Sequence, residues 1–244
     1  MTFSGKNVKI SRKLDLNRLP RHMGIILDGN GRWATKRKLP RNIGHKAGCE
    51  NLKRIVKHIY DLGINYATFF MFSTENWKRP KQEVDGIFDI VREYLHESAD
   101  EFVEYGVKIV TMGDASKLPN DLYTKLMEVV KTTSKCDKFV LNLAINYGGR
   151  DEILRAVNLA IADGEILNST VDFQKYLYTS DIPDPDFIIR TSGEMRVSNF
   201  MLYQMAYTEW YFTKTLWPDF TEKELQKCLI NFQNRKRRFG ALNK

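Results

Sequence analysis

Cysteines are scarce in this sequence, and it has no long apolar run. The 244 residues include three cysteines, Cys49, Cys136 and Cys228, without a Cys-x-x-Cys pair. Their odd number and wide spacing argue against a disulfide framework and against a structural zinc site. No apolar stretch approaches the roughly 18 residues that a membrane-spanning helix needs. The polar, basic start also lacks the apolar segment of a secretory signal, so we expect a cytoplasmic protein.

Charge of one sign is in surplus, because 38 lysines and arginines stand against 30 acidic residues, a net charge of +8. Such a surplus favours an anionic partner: nucleic acid, an acidic membrane surface or a phosphorylated substrate. No zinc-finger, RRM, KH or basic-zipper pattern is present, so we expect no nucleic-acid partner. The Walker and Rossmann glycine patterns are absent, as is the G-x-S-x-G context of a hydrolase nucleophile.

The length fits one α/β domain or two small ones, and apolar runs alternate with amphipathic helical stretches. The predicted strands are 23–27, 68–73, 107–113, 139–146, 186–191 and 210–216. Helical spacing of apolar residues lies between most of them. This alternation predicts an α/β fold with a mainly parallel six-stranded sheet flanked by helices. Ligands of such sheets bind beyond the carboxyl ends of the strands, so the residues there are the candidate site.

The first predicted strand is followed by the segment Asp28-Gly29-Asn30-Gly31-Arg32-Trp33. Glycines let the backbone approach a ligand closely, and N–H groups near a helix start bind phosphate oxygens. The Asp28 carboxylate could hold Mg²⁺, which prefers carboxylate, water and phosphate oxygens. An ordinary turn with a capping aspartate is the alternative for the four residues D-G-N-G, because such residues are common turn formers.

Cationic side chains gather near the start of the next predicted helix and after the second strand. Arg37, Arg41 and His45 precede or open that helix, where several donors would suit a diphosphate. The loop 73–80 carries a further arginine, Arg79. Taken singly, each of these residues could equally be a solvated surface side chain.

A third cationic segment, 190–200, follows the fifth predicted strand, with two arginines and two hydroxyls around a glycine. Arg190 leaves a buried strand, where an unpaired charge would be costly. Glu209 could be a second metal ligand or a salt-bridge partner. Together these segments predict a site for one or two phosphate-bearing small molecules.

Five segments resemble the undecaprenyl diphosphate synthase (cis-prenyltransferase) family, in that family's order. They are HMGIILDGNGRW, RNIGHKAG, FSTENWKRP, INYGGRDE and IRTSGEMRVSNFMLYQMAYTEWYF, and the similarity runs from about residue 22 to 240. The resemblance implies one α/β catalytic domain over residues 21–244 behind a flexible N-terminal arm, residues 1–20. Members of the family are homodimers or heterodimers, and the resemblance implies a homodimer here. Arg238-Phe239-Gly240 resembles a C-terminal Arg-x-Gly that reaches across the dimer.

The resemblance implies roles for individual residues. Asp28 matches an acidic residue that handles Mg²⁺ and the allylic diphosphate, and Glu209 matches a second Mg²⁺ ligand. Asn76 matches a proposed proton acceptor, although a neutral amide is a poor base and a diphosphate oxygen a better one. The residues that match substrate-binding segments are Gly29, Asn30, Gly31, Arg32, Trp33, Arg41, His45, Ser73, Thr74, Glu75, Trp77, Arg79, Arg190, Arg196, Val197 and Ser198. Among these residues, Arg190, Arg196 and Ser198 match the pocket for isopentenyl diphosphate.

The activity implied is a Mg²⁺-dependent condensation of isopentenyl diphosphate onto an allylic diphosphate. Farnesyl diphosphate is the expected primer and an undecaprenyl-type diphosphate the expected long-chain product, with a shorter polyprenyl product as the alternative. Met195 stands where some relatives have a metal-contacting histidine, which leaves metal binding to the carboxylates, phosphate and water. The growing tail needs a dry tunnel, and a bulky Met71 facing that tunnel would shorten the product.

Two further expectations concern partners. The basic residues 236–238 could give weak association with an anionic membrane surface, although a solvated helix end explains them as well. A non-catalytic accessory subunit of a heteromeric prenyltransferase is the alternative function. Accessory relatives typically lack the acidic residue and part of the arginine sites. Here those residues are all present: Asp28, Arg32, Arg41, Arg190, Arg196 and Glu209.

Overall fold

One six-stranded sheet organises the protein. The computed structural model describes residues 10–237, without the side chains of residues 96–98. The strands are β1 His22–Ile26, β2 Tyr66–Ser73, β3 Val107–Met112, β4 Phe139–Tyr147, β5 Phe187–Arg190 and β6 Glu209–Phe212. They lie in the order β3-β4-β2-β1-β5-β6, and every neighbouring pair is parallel. The predicted α/β fold with a mainly parallel six-stranded sheet is confirmed.

Helices connect the strands and cover the sheet. They are α1 Asn30–Lys36, α2 Arg41–Asp61, α3 Lys81–Glu104, α4 Asn120–Thr132, α5 Gly149–Ala162, α6 Thr170–Gln174 and α7 Glu222–Gln233. A 3₁₀ turn, Thr74–Lys78, follows β2 directly. Thr221 caps the start of α7, because its side chain accepts a hydrogen bond from the Glu224 N–H.

The apolar side chains explain this arrangement. All five residues of β1 are buried, as expected of a central parallel strand that is covered on both faces. On α4, Leu122, Leu126 and Val129 recur at helical spacing and are buried. The main core joins residues of β1, β2 and β4 to residues of α2, α3, α4 and α7. A smaller cluster on the other side of the sheet packs Ile26 and Ile188 against Phe200 and Met201.

The order of the strands fixes where a ligand can bind. On one side of β1 lie β2, β4 and β3, which are formed before the chain crosses to β5 and β6 on the other side. The order therefore reverses at β1, and a crevice opens beyond the carboxyl ends of the strands at such a reversal. The ends of β1, β2 and β5 lie side by side there.

The last strand is shorter than predicted, since β6 ends at Phe212 rather than at 216. Beyond it, the carbonyls of Thr213 and Thr215 accept hydrogen bonds from the N–H groups of Gly193 and Ser192. The chain thus continues to pair with the loop after β5, but outside the regular ladder.

Part of the segment expected to be a flexible arm packs against α7. The N–H of Ser11 donates to Gln226 Oε1 at 2.8 Å, the N–H of Asp15 donates to Gln233 Oε1 at 3.2 Å, and Leu14 is buried. Residues 1–9 and 238–244 lie outside the described residues. Among the helices of residues 10–237, we find none with the length and apolar character needed to cross a membrane.

Candidate active site

A cavity of about 780 Å³ opens at the carboxyl ends of β1, β2 and β5. One half of it is cationic, and the other half is apolar. The cationic half contains five arginines, Arg32, Arg41, Arg79, Arg190 and Arg196. The apolar half is lined mainly by Leu52, Phe70, Met71, Ile87, Ile90 and Val91. This division suits an anionic head group attached to a hydrocarbon tail.

Most of the residues that the sequence predicted for the site line this cavity. They are Asp28, Gly29, Asn30, Gly31, Arg32, Arg41, His45, Ser73, Glu75, Asn76, Arg79, Arg190, Arg196 and Ser198. They come from five parts of the chain, which the parallel sheet brings to one edge.

Asp28 is held between two arginines. Its carboxylate accepts from Arg190 Nη2 at 2.9 Å and from Arg32 Nη2 at 3.0 Å. Burial raises the pKa of the Asp28 carboxyl, but the hydrogen bonds and positive charges of Arg190 and Arg32 outweigh burial and hold the pKa below its ordinary value. The carboxylate is therefore ionised at neutral pH and lies at the floor of the cationic half.

The loop after β5 is built around the buried Arg190. Its Nη1 donates to the Ser198 hydroxyl at 2.7 Å and to the main-chain carbonyl of Arg196. Its Nε has no hydrogen-bond partner within the described part of the chain. Ser198, Asn199 and Met201 have φ values of 49°, 64° and 45°, so the loop is strained. Strain of this kind concentrates at functional sites.

Glu83, a carboxylate that the sequence did not predict for the site, contacts three further side chains of the cavity. It accepts hydrogen bonds from Arg41, His45 and Arg79. Burial lowers the pKa of the His45 imidazole more than Glu83 raises it, so His45 is neutral at pH 7. The one signal in the sequence is the spacing of Arg79 and Glu83, which are four residues apart at the start of α3.

The 74–78 turn covers the cavity beside β2. Asn76 Oδ1 accepts from the Ser73 N–H at 3.1 Å, so the amide oxygen of Asn76 caps the turn. Glu75 accepts from Asn199 Nδ2 at 2.9 Å, which links the turn to the loop after β5. A β-bulge in β2 leaves Met71 without a register partner, and Phe70 and Met71 both line the cavity. Two consecutive strand residues can face one cavity because a bulge re-aims a side chain.

Comparison with known proteins agrees with this geometry. The family model described as "Putative undecaprenyl diphosphate synthase" matches residues 26–240. The chain belongs to this family. It is a cis-prenyltransferase, and diphosphate substrates are implied by the family. An isoprenyl transferase of Clostridium tetani is 48% identical, with 98% of this chain and 97% of that protein covered.

Solved structures agree as well. A lavandulyl diphosphate synthase from Lavandula x intermedia, in complex with dimethylallyl diphosphate, has a TM-score of 0.87 and 33% identity. The comparison covers 92% of this chain and 99% of that one. A probable undecaprenyl diphosphate synthase from Campylobacter jejuni has a TM-score of 0.77 and 34% identity, covering 91% and 98% of the two chains.

Four predicted substrate-binding residues of this cis-prenyltransferase do not line the cavity. Trp33 donates to Asp219 at 2.7 Å and stacks under the Arg37 guanidinium. Thr74 and Trp77 line a second cavity on the far side of the 74–78 turn. Trp77 also packs against two buried phenylalanines, Phe72 and Phe88, which fixes the turn against the core. Val197, in the loop after β5, is likewise not part of the cavity wall.

Within one chain, the structure does not bring Glu209, the predicted second metal ligand, to Asp28. Glu209 begins β6 and is level with Met23 across the sheet, whereas Asp28 follows the end of β1. At about 3.3 Å per residue, the two positions are about 16 Å apart along the strands. Glu209 is paired with Arg235 at 2.7 Å. Within one chain, the two residues cannot share a metal ion.

The second carboxylate beside Asp28 is Glu194. Arg32 bridges the two, because its Nη1 donates to Glu194 at 2.9 Å while its Nη2 donates to Asp28. Met195 is 78% exposed and does not line the cavity. Within residues 10–237, no group of three or more His, Cys, Asp or Glu side chains could hold a metal ion. A hard cation would therefore need oxygens from the substrate in addition to Asp28.

Proposed function

We propose that this cis-prenyltransferase condenses isopentenyl diphosphate onto an allylic diphosphate, with farnesyl diphosphate as the primer, and extends it to an undecaprenyl-type product. The observation that carries the proposal is the division of one cavity into a half with five arginines and an apolar half. A diphosphate of about three negative charges suits the first half, because arginines bind phosphate oxygens in a fixed fork geometry. A growing hydrocarbon chain suits the second half.

The allylic diphosphate is assigned to the segment 29–32 together with Arg41 and His45. Gly29 has a φ of 113° and starts α1, so its backbone turns sharply at the floor of the cavity. Gly31 leaves room for the Arg41 guanidinium, since a Cβ at residue 31 would lie 2.6 Å from Arg41 Cζ. The isopentenyl diphosphate is assigned to Arg190, Arg196 and Ser198, which lie across the cavity.

Mg²⁺ is the proposed cofactor, and Asp28 is the residue that would hold it. Its carboxylate is ionised and accessible from the cavity. Mg²⁺ is usually bound by one or two carboxylates together with substrate phosphates and water, so a single carboxylate suffices. The ion would neutralise charge on the leaving diphosphate. Both carboxylate oxygens of Asp28 already accept from arginines, and each retains a further lone pair.

The proposed reaction forms one carbon–carbon bond. The allylic carbon–oxygen bond breaks, and its electron pair leaves with the diphosphate. The isopentenyl double bond supplies the electrons of the new bond, and loss of a proton creates a cis double bond. Asn76 is a poor acceptor for this proton, since its amide oxygen already accepts from the Ser73 N–H. We assign the proton to a diphosphate oxygen, which is the stronger base.

Assembly as a homodimer is also part of the proposal. Leu154 and Ile161 lie seven residues apart on α5 and are 62% and 68% exposed, and Ile166 and Val171 beyond them are exposed too. Apolar side chains grouped in this way mark association surfaces. Sedimentation of the parent chain and of Ile161→Glu would test it, with a dimer for the first and a monomer for the second. The Arg-x-Gly segment expected to cross the interface, 238–240, lies outside the described residues.

We also propose a cytoplasmic enzyme with weak membrane-surface association. Of the three basic residues invoked for this contact, Arg237 donates to Asp186, and Arg238 is outside the described residues. Binding to vesicles that contain anionic lipid, compared with neutral vesicles, would test this part separately.

The activity itself is tested with farnesyl diphosphate, radiolabelled isopentenyl diphosphate and Mg²⁺, followed by extraction and sizing of the lipid. We expect a labelled polyprenyl product that disappears with EDTA and in Asp28→Ala. The length of the product identifies it. An absence of product with several allylic primers and with detergent would favour the accessory-subunit alternative and a search for a catalytic partner.

A further inference from the structure

Glu83 contacts three side chains of the cavity, two arginines and a neutral histidine. Its carboxylate accepts from Arg41 Nε at 2.9 Å and from Arg41 Nη2 at 3.1 Å, which is a two-bond pairing. It also accepts from His45 Nε2 at 3.1 Å and from Arg79 Nη1 at 3.2 Å. The Glu83 side chain is only 10% exposed. A carboxylate with so little exposure to water requires hydrogen-bond donors from the protein. The same hydrogen bonds hold the three donor side chains in place.

The contact joins two helices. Arg41 and His45 lie in the first turns of α2, whereas Glu83 lies in the first turn of α3. The same face of α2 continues with Cys49 and Leu52, and the same face of α3 continues with Ile87 and others, all of which line the apolar half. Glu83 therefore holds α2 and α3 together at the boundary between the cationic and apolar halves.

Glu83 also decides which donors remain for a ligand. Its bonds to Arg41 use Nε and Nη2. The Arg41 side chain is 55% exposed, and that of Arg79 is 36% exposed. Arginine side chains have large rotamer freedom, so without a partner these two would be free to rotate into solvent. Because Glu83 already orders the Arg41 and Arg79 side chains, a ligand that binds them loses less side-chain entropy on binding.

We propose that Glu83 is a positioning residue for the allylic diphosphate, acting by holding Arg41, His45 and Arg79 at the head of the apolar half. The proposal rests on the proposed function, which assigns the allylic diphosphate to this side of the cavity. It assigns Glu83 no contact with the reacting atoms. The isopentenyl side, with Arg190, is joined to Asp28 instead and has no hydrogen bond to Glu83 within the described residues.

The test compares the KM values of the two substrates in Glu83→Gln. This variant keeps the shape of the side chain but loses the charge, so the hydrogen bonds lose their charge assistance. We expect the KM of the allylic primer to rise about tenfold, which corresponds to about 1.4 kcal/mol. The KM of isopentenyl diphosphate should change less than about twofold, since its assigned residues do not touch Glu83. Glu83→Asp, which keeps the charge, should restore part of the primer affinity.

Glu93→Gln is the matched control. Glu93 is on the same helix and pairs with Lys46 of α2 at 4.0 Å, but both side chains are exposed and neither lines the cavity. An exposed pair of this kind contributes little. We expect both KM values of this variant to equal those of the parent chain.

Two outcomes would overturn the role of Glu83. One is an equal rise of both KM values together with a lower melting temperature, which indicates only structural support. The other is an unchanged or lower KM for the primer. If the parent chain gives no product, the proposed function fails, and calorimetry with inorganic diphosphate then decides the matter. Weaker binding of diphosphate by Glu83→Gln than by Glu93→Gln would still support the positioning role, and equal binding would overturn it.

Discussion

The guanidinium of Arg190 at the end of β5 donates to the carboxylate of Asp28 after β1, with an Nη2–Oδ2 distance of 2.9 Å. The arginine is buried, whereas the aspartate is partly open to the cavity. Each therefore depends on the other: Asp28 compensates a buried charge, and Arg190 keeps Asp28 ionised. The pair also joins the two sides of the cavity, since Arg190 continues to Ser198 in the loop after β5.

Asp28→Asn should impair both the activity and the stability of the protein. The substitution keeps the size of the side chain but removes the charge that pairs with Arg190 and would hold Mg²⁺. We expect kcat/KM to fall by at least about a hundredfold, since a lost metal contact removes several kcal/mol of transition-state stabilisation. The free energy of unfolding should fall by about 1–3 kcal/mol, as for an impaired buried hydrogen bond to a charged group. Turnover and urea unfolding measure the two effects.

Asp85→Asn is the control for this prediction. Asp85 pairs with Lys81 on the exposed side of α3, and an exposed pair contributes about 0–1 kcal/mol. This variant should match the parent chain in both measurements. Near-parental turnover by Asp28→Asn would contradict the assignment of Asp28.

The sheet and its ligand-binding edge could be predicted because they depend on local patterns. The runs of β1 and β4 are apolar and buried almost throughout, so they are recognisable as central parallel strands without any knowledge of their neighbours. The binding edge then follows, because the loops after parallel strands share one edge of the sheet. The end of β6 was missed, since Thr213 and Thr215 pair outside the ladder.

The missed residues depend on contacts across the fold. Glu83 meets Arg41 because helices α2 and α3 pack with these two side chains facing each other. The two residues are 42 positions apart in the sequence, and no local pattern predicts how the two helices face. Glu194 was not predicted for the site, because it meets Arg32 across 162 residues of sequence and no local spacing reveals that contact. The facing of Met71 could not be predicted either, since a bulge breaks the alternation of side chains in β2.

Met71→Ala tests the control of product length. Met71 lines the apolar half of the cavity and packs against the core of the protein. Removing the side chain beyond Cβ lengthens the space for a tail, so we expect the product distribution to shift to longer chains. Met127→Ala is the control, because Met127 packs against the same core from α4 without lining the cavity. Chromatography of the labelled lipids reads the result, and an unchanged distribution in Met71→Ala would remove Met71 from this role.

Gly44→Ala should displace the segment after β1. A Cβ at residue 44 of α2 would lie 2.1 Å from the main-chain oxygen of Asn30, which cannot move without the backbone. We expect a loss of about 1–3 kcal/mol of unfolding free energy, as for other overpacking changes. The KM of the allylic primer should rise as well, because Asn30 belongs to its assigned segment.

Gly86→Ala is the matched comparison on α3. Among the described atoms, none lies within 4 Å of a Cβ at residue 86. Alanine is favoured over glycine within helices by about 0.5–1 kcal/mol, so this variant should be more stable than the parent chain. If both alanine variants changed stability in the same direction, the close approach of α2 to Asn30 would not be the cause.

His22 should make the protein sensitive to mild acid. The imidazole is fully buried, with Nδ1 donating to the Pro183 carbonyl at 2.6 Å and Nε2 accepting from the Thr68 hydroxyl at 2.8 Å. Burial lowers the pKa of His22 from 6.5 to about 4, although Pro183 and Asp186 oppose the shift. Between these two values the unfolded chain binds a proton that the folded chain does not. The contribution of the neutral His22 to the free energy of unfolding is therefore fully present above pH 6.5 and is lost as the pH falls towards 4.

The lowered pKa of His22 also sets the size of the expected loss of stability in acid, and His22→Gln tests it. Between pH 7 and pH 4.5, this one group should cost about 2.5 kcal/mol of unfolding free energy. His22→Gln cannot titrate, so its stability should decline less over that range, whatever its stability at pH 7. Urea unfolding of both chains at the two pH values measures the difference, from which the contributions of the other histidines cancel. Equal declines in the two chains would show that the acid sensitivity has another source, because only the His22 term distinguishes them.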